Sequence, residues 1–297
     1  MKPAILVAGS HEFHQNVNRR LSDTTLNTTH IERPPQHTFE EVERPIDHAN
    51  VIFIHSEPHL LPVAQFALRK AKHVVLFGAE KCEFHELETL LELAIESKSY
   101  LVNGDSLLFN PVIFPMIKSF ESTEMTTLVS NRFRKYISRR QIFSCIEFLL
   151  YSNKSPLKNI FAKGVRLNGK RLNVLHARLE FENEVIAVLE LSNTKENPKL
   201  QIESAGNGNW MDLDLLTFNG HYYHYADEEQ AEVKPPKQIF PQDRSSLSHL
   251  IQFVELELEH LINPHRQFEN SLQTAKAIQT IEEQLRRGLP NFTHFEK

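Results

Sequence analysis

The chain has 297 residues, 40% hydrophobic and 24% charged, the composition of a soluble globular protein with length for two ordinary domains or one large one. Its 33 Lys and Arg against 38 Asp and Glu leave a net charge of -5, and no basic stripe is mixed with aromatics, which argues against a nucleic-acid partner. Cys82 and Cys145 are too few for a disulfide framework, and the apolar start at 3–9 is too short for a signal peptide or a membrane span; both predict a cytoplasmic protein with no membrane contact.

Ala4-Ile5-Leu6-Val7 carries a buried-strand signal that ends at Gly9, and a helix is predicted over 13–21. A strand that ends in a glycine turn and feeds a helix is where a dinucleotide fold seats its pyrophosphate, on backbone N–H groups. The expected spacing is G-x-G-x-x-G, and the window here reads Gly9-Ser10-His11-Glu12-Phe13-His14. Only the first glycine is present. Bulky residues at the second and third positions obstruct the close backbone approach that glycine allows, and Glu12 adds a negative charge where phosphates would lie. The whole chain holds 9 glycines, whereas ordinary usage would give roughly 21.

A strand is predicted over 24–31, with Glu32 at its end placed to accept a ribose hydroxyl or, equally, to be a solvated carboxylate beside Arg33. One short helical stretch, around 38–42, fits before the next strand, so the adenine side of a dinucleotide pocket is abbreviated. Val51-Ile52-Phe53-Ile54 is a continuous apolar run suited to a strand buried on both faces. Pro62, Val63, Phe66, Ala67 and Lys70 then outline a helix, followed by the buried run Val74-Val75-Leu76-Phe77. A second helix over 84–96 turns Leu87, Leu90, Leu91 and Ala94 to one side, and a short strand at 100–102 ends at Asn103-Gly104. Strand, helix, strand, helix, strand with short joints predicts a parallel sheet. Candidate cofactor contacts at its carboxyl edge are Gly9, Ser10, His11, Glu32, His55 and Ser56.

Over residues 50–111 the chain resembles the Gfo/Idh/MocA family of sugar and cyclitol oxidoreductases. The matching pieces are the strand at 51–54, the run Ala67-Leu68-Arg69-Lys70-Ala71-Lys72-His73-Val74, similar to the family's A-L-x-x-G-K-H-V, and Phe109-Asn110-Pro111. Phe148-Leu149-Leu150-Tyr151 with Pro156 continues the likeness. The resemblance implies an N-terminal Rossmann-like parallel-sheet domain, placed at 1–118, and a C-terminal α+β domain with a large, mostly antiparallel open sheet, placed at 119–297. It also implies hydride transfer with NAD or NADP, a Lys from an E-K-P motif, and an Asp and His from a later D-x-x-x-H helix.

Counted without gaps from His73-Val74, E-K-P falls on Phe77-Gly78-Ala79, and the same register puts Leu87, Leu90, Leu91, Ala94 and Gly104 on matching positions. The lysine is then absent. A rival register takes Glu80-Lys81-Cys82 as the motif and keeps Lys81 as the catalytic candidate, against the plainer reading of Lys81 as a solvated residue before a helix. The D-x-x-x-H positions fall on Arg140 and Ser144, with Glu147 three residues on. General acid-base work needs a group of suitable pKa within hydrogen-bond reach, and Gly78 and Arg140 offer none. Separately, His11, His14, His55 and His59, in two loops at one sheet edge, form a conceivable zinc set, although their spacing matches no recognised ligand motif and scattered surface histidines explain them as well.

In the second half, strands are predicted at 126–129 and 160–167 around a helix at 141–151. Alternating stretches at 172–182 and 185–191 read as a hairpin, and strands at 200–203, 211–217 and 221–225 continue a meander, with turns at Gly206-Asn207-Gly208 and Asn219-Gly220. Residues 226–243 read as a loop. Amphipathic helices at 245–261 and 268–287 close the chain, their apolar stripes being core signals. The aromatic stretch His221-Tyr222-Tyr223-His224-Tyr225 predicts a homodimer through the sheet of the second domain. Three functions follow as alternatives: a degenerate oxidoreductase-family protein that binds NAD or NADP weakly or not at all and instead takes a small-molecule or protein ligand; an active NAD(P)-dependent oxidoreductase on a sugar or cyclitol hydroxyl, using Lys81; or a structural or assembly subunit.

Overall fold

The computed structural model describes residues 5–10, 12, 13, 15, 17, 28–32, 39–57, 60–120, 123–131, 136–167, 171–193, 198–224, 237–239, 241, 245–260, 265–289, 292, 294 and 295. They fall into two units. The first comprises residues 1–106 and 245–272, and the second 107–244 and 273–297.

The first unit is built on five parallel strands, β1 (Ile5–Gly9), β2 (Thr28–Glu32), β3 (Val51–His55), β4 (His73–Phe77) and β5 (Leu101–Asn103), in the order β2-β1-β3-β4-β5. Continuous apolar runs form these strands because both faces are covered: Leu6, Val51, Ile52, Ile54, Leu76 and Leu101 are fully buried. Burying each such side chain contributes about 1.5–3 kcal/mol. Helices α1 (Phe39–His48), α2 (Leu61–Arg69) and α3 (Phe84–Ser97) lie between successive strands. Pro62 occupies the first turn of α2, where its missing N–H costs no bond. A capping box between Glu83 and Glu86 starts α3, and Lys98 in the left-handed region ends it. The chain leaves β1 toward β2 on one side and returns to β3 on the other. The carboxyl ends of β1 and β3 therefore flank a topological switch point, the place where open α/β sheets take ligands. Helix α1 is longer than the predicted 38–42 stretch, running through Pro45 to His48. The apolar side of its last turns is the reason, with Ile46 and Ala49 buried.

The second unit is an eight-stranded sheet in the order β13-β12-β11-β10-β6-β9-β8-β7. The strands are β6 (Met125–Asn131), β7 (Leu157–Val165), β8 (Val174–Phe181), β9 (Ile186–Ser192), β10 (Lys199–Gly206), β11 (Asn209–Asp214), β12 (Asn219–His224) and β13 (Lys237–Ile239). All neighbours pair antiparallel except β6 and β9, which are parallel. Alternation sets its faces, with Leu175, Ala177 and Leu179 buried and His176 and Arg178 exposed between them. With the first unit's sheet, this is the two-part α/β and α+β architecture expected from the resemblance.

Two further helices complete the second unit's own elements, α4 (Ile117–Phe120) and α5 (Arg139–Ser152). Two more come late in the chain, α6 (Ser246–His260) in the first unit and α7 (Arg266–Gly288), at whose Leu272 the division between units falls. The Ser138 hydroxyl caps α5 by accepting the Gln141 N–H at 3.3 Å. Within the second unit Gln284 of α7 accepts the Ala162 N–H and donates to the Ile160 carbonyl, both at 2.6 Å, which satisfies backbone groups of the edge strand β7. Among the described residues no helix is long and apolar enough to cross a membrane.

Asn207 and Gly208, both at positive φ, make the tight β10–β11 hairpin turn as predicted. Asn219-Gly220 does not form a turn. These residues open β12 opposite Asp214 and Leu213. The Asp214 carboxylate instead accepts the N–H groups of Leu216 at 2.9 Å and Thr217 at 3.2 Å, Phe218 takes φ 56°, and the predicted 211–217 strand stops at Asp214. The segment read as a loop at 226–243 contains β13, a three-residue strand on the edge of β12.

Candidate functional site

The carboxyl edge of the parallel sheet in the first unit gathers the residues singled out by sequence, and its two halves differ. At the switch point, buried Gly9 ends β1 and half-buried Ser10 accepts the N–H of Phe13 at 3.3 Å. The ring of Phe13 lies directly over Gly9, so that a Cβ on Gly9 would collide with it. Phe13 also stands 5.3 Å from the ring of His55, at the end of β3, and 5.1 Å from that of Phe77, at the end of β4. Phe53 extends the group at 5.6 Å from Phe77. The His55 Nδ1 is 3.7 Å from the Glu57 carboxylate.

At β4 and β5 polar contacts lie beside the Phe77 ring, which also covers Gly104. Gly78 directly follows β4 with φ 81°. Its carbonyl accepts a short hydrogen bond from the buried Ser56 hydroxyl, and its N–H donates to the Asp105 carboxylate at 2.6 Å. The Asp105 N–H donates to the Asn103 side chain at 3.2 Å. Buried Gln267 accepts the Asn103 N–H at 2.8 Å and donates to the Asn103 carbonyl at 3.4 Å. Lys81 sits at the end of the single 3-10 turn that follows Gly78, with its side chain exposed, while the side chain of Glu80 before it is buried.

The structure thus brings Gly9, Ser10, His55 and Ser56 to one sheet edge. Glu32 ends β2 in register with Gly9. His11, His14 and His59 lie outside the described residues. Among the described residues no group of three or more His, Cys, Asp and Glu is placed to hold a metal ion. Sequence reasoning missed Phe13, Phe77, Asp105 and Gln267. The glycine spacing drew attention to the backbone of this loop, while the ring three residues past Ser10 is what fills it.

At the opposite end of β4, His73 accepts the Tyr100 N–H on Nδ1 at 3.0 Å, and its ring lies 4.7 Å from the Tyr100 ring. Burial, with a smaller contribution from the Lys72 ammonium, pushes its pKa down to about 4. In the second unit, Arg140 and Ser144 lie on α5, where the Ser144 hydroxyl donates back to the Arg140 carbonyl at 3.0 Å. Glu147, one turn further, is fully buried.

No protein-family model matches the sequence, and no curated protein matches it. Solved structures do resemble it. UDP-N-acetylglucosamine 3-dehydrogenase from Acidithiobacillus ferrooxidans superposes with a TM-score of 0.80 at 12% identity, over 97% of this chain and 99% of that one. The chain has the fold of an oxidoreductase. A dehydrogenase from Chromobacterium violaceum (TM-score 0.72, 15% identity, 98% of each chain) carries the same fold. So does an oxidoreductase from Sinorhizobium meliloti (TM-score 0.73, 11% identity, 97% of this chain and 98% of that one). The ring of Phe13 covers Gly9 at the turn where a dinucleotide fold seats its pyrophosphate, while the second and third glycine positions of that turn, His11 and His14, lie outside the described residues.

Proposed function

We propose that this protein keeps the oxidoreductase fold without the ordinary hydride transfer, and acts by binding a small-molecule or protein ligand. The observation that carries the reading is Gly78. In the register that matches α3 and Gly104, it stands where the Gfo/Idh/MocA resemblance puts a lysine. Its φ of 81° and the Ser56 hydroxyl, 2.5 Å from where a Cβ would lie, favour glycine there on steric grounds. A lysine at this position would be strained by the backbone and would meet the Ser56 hydroxyl. Arg140 and Ser144, at the D-x-x-x-H positions, supply neither a carboxylate nor an imidazole.

A second reading has its own observation. Lys81 is exposed within one 3-10 turn of the carboxyl end of β4, on the side of the sheet where such enzymes act, which supports an NAD(P)-dependent oxidoreductase with a displaced lysine. The assay is hydride transfer from simple sugars, inositols and UDP-N-acetylglucosamine to NAD and NADP, followed by nicotinamide absorbance. No turnover is expected. Turnover abolished in Lys81→Ala and kept in Glu80→Gln would establish the second reading instead.

A homodimer through the open sheet belongs to the same proposal. Met125 on β6 and Phe161 and Val165 on β7 are 51%, 55% and 49% exposed, and Trp210 and Tyr223 pair at 4.7 Å on β11 and β12. Apolar side chains exposed along one sheet are a surface suited to a second copy. A sedimentation profile of a monomer at micromolar concentration would count against it.

A further inference from the structure

We propose that Phe13 is the residue that decides whether this fold admits a nicotinamide nucleotide, its ring being a built-in occupant of the crevice between the carboxyl ends of β1 and β3. The inference rests on the reading above and adds its physical agent. Three observations meet at one point. The ring covers Gly9, so the room left by the missing side chain is used by the protein itself. It also pairs with His55 and Phe77, at 5.3 and 5.1 Å, in the tilted and edge-on arrangements that aromatic pairs favour. The position it fills is the switch point of the strand order, where the fold takes ligands.

The anchoring is also local in origin. The Phe13 N–H is held by the Ser10 hydroxyl, which fixes the start of the turn, and Val17, one helical turn later, is buried, so this side of the turn faces the sheet. Phe13 itself stays half-buried. A ligand must therefore displace a ring that has two aromatic partners but still touches solvent, and position 13 acts on affinity rather than on any chemical step.

The test is nucleotide binding by Phe13→Ala and Phe13→Leu, each followed by NADH and NADPH fluorescence and by thermal unfolding. Phe13→Leu keeps an apolar side chain and serves if Phe13→Ala fails to fold. Removing two aromatic pairs predicts tighter binding than in the unaltered protein by about ten- to a hundredfold. Tighter binding without turnover supports both this proposal and the functional reading above. Tighter binding accompanied by turnover on a sugar or cyclitol supports the role of Phe13 and overturns the loss of chemistry. Folded variants that bind either nucleotide no better than the unaltered protein overturn the role of Phe13, whatever their turnover. Weaker binding would show the ring to be a platform for the ligand instead.

Discussion

The two halves of the parallel sheet's carboxyl edge are closed by different physics. Around β1 and β3 the space is taken by rings, Phe13 over Gly9 and against His55 and Phe77, and dispersion and shape hold them. Beside these rings, of which Phe77 also covers Gly104 after β5, a run of hydrogen bonds goes from Ser56, after β3, through Gly78 and Asp105 to Asn103 and Gln267. Each half uses a glycine to let a neighbour approach: Gly9 admits a ring and Gly78 admits a hydroxyl. The two kinds of packing tolerate change unequally. Apolar packing accepts another shape at modest cost, whereas a buried hydrogen-bonded backbone leaves an unsatisfied group when one partner goes.

Substitution separates the halves. Gly78→Ala should have the largest effect, since it combines left-handed strain with displacement of the Ser56 hydroxyl. A loss of about 2–4 kcal/mol in urea unfolding is expected, and a loss below about 1 kcal/mol would show that Gly78 is not pinned. Gln267→Leu comes next, at about 1–3 kcal/mol, because the Asn103 N–H and carbonyl lose their side-chain partner. An unchanged midpoint would mean that water replaces the glutamine. Phe77→Leu, in the aromatic half, should cost less, about 1 kcal/mol, as a hydrophobic replacement in half-buried packing. If it proved as costly as Gly78→Ala, the contrast between the halves would be lost.

The smallest effect is at the far end of β4, where His73 serves as a control away from the edge. With a folded pKa of about 4 against 6.5, the unfolded chain binds the proton more readily. The stability that neutral His73 contributes is therefore present above 6.5 and lost as pH falls toward about 4. His73→Asn, which can still accept the Tyr100 N–H, should flatten that part of the stability profile. An identical slope in the variant would assign the pH dependence to other groups.

Much of the fold was legible because burial writes itself as composition. The continuous runs at Val51–His55 and His73–Phe77 are strands covered on both faces, and Asn207-Gly208 is a turn whose two positive φ values its residues favour. The same logic misplaced Asn219-Gly220, because turn propensity does not show that the Asp214 carboxylate has already gathered the Leu216 and Thr217 N–H groups. Strand β13 has three residues and no alternating pattern, so only its register against β12 reveals it. At the site, the loop and strand-end residues Gly9, Ser10, His55 and Ser56 were readable from position alone. Phe13 and Phe77 were not, since periodicity tells which face a ring takes but not which ring it meets. Asp105 and Gln267 find their backbone partners 27 and 164 residues away in sequence.

If the protein's own side chains fill this edge as proposed, it does not serve as a working nicotinamide site. Titration calorimetry of the unaltered protein with NAD, NADH, NADP and NADPH tests it most directly. No saturable heat is expected below millimolar nucleotide. Stoichiometric binding of any of the four at micromolar concentration would contradict it, and would show that Phe13 gives way to the cofactor at little cost.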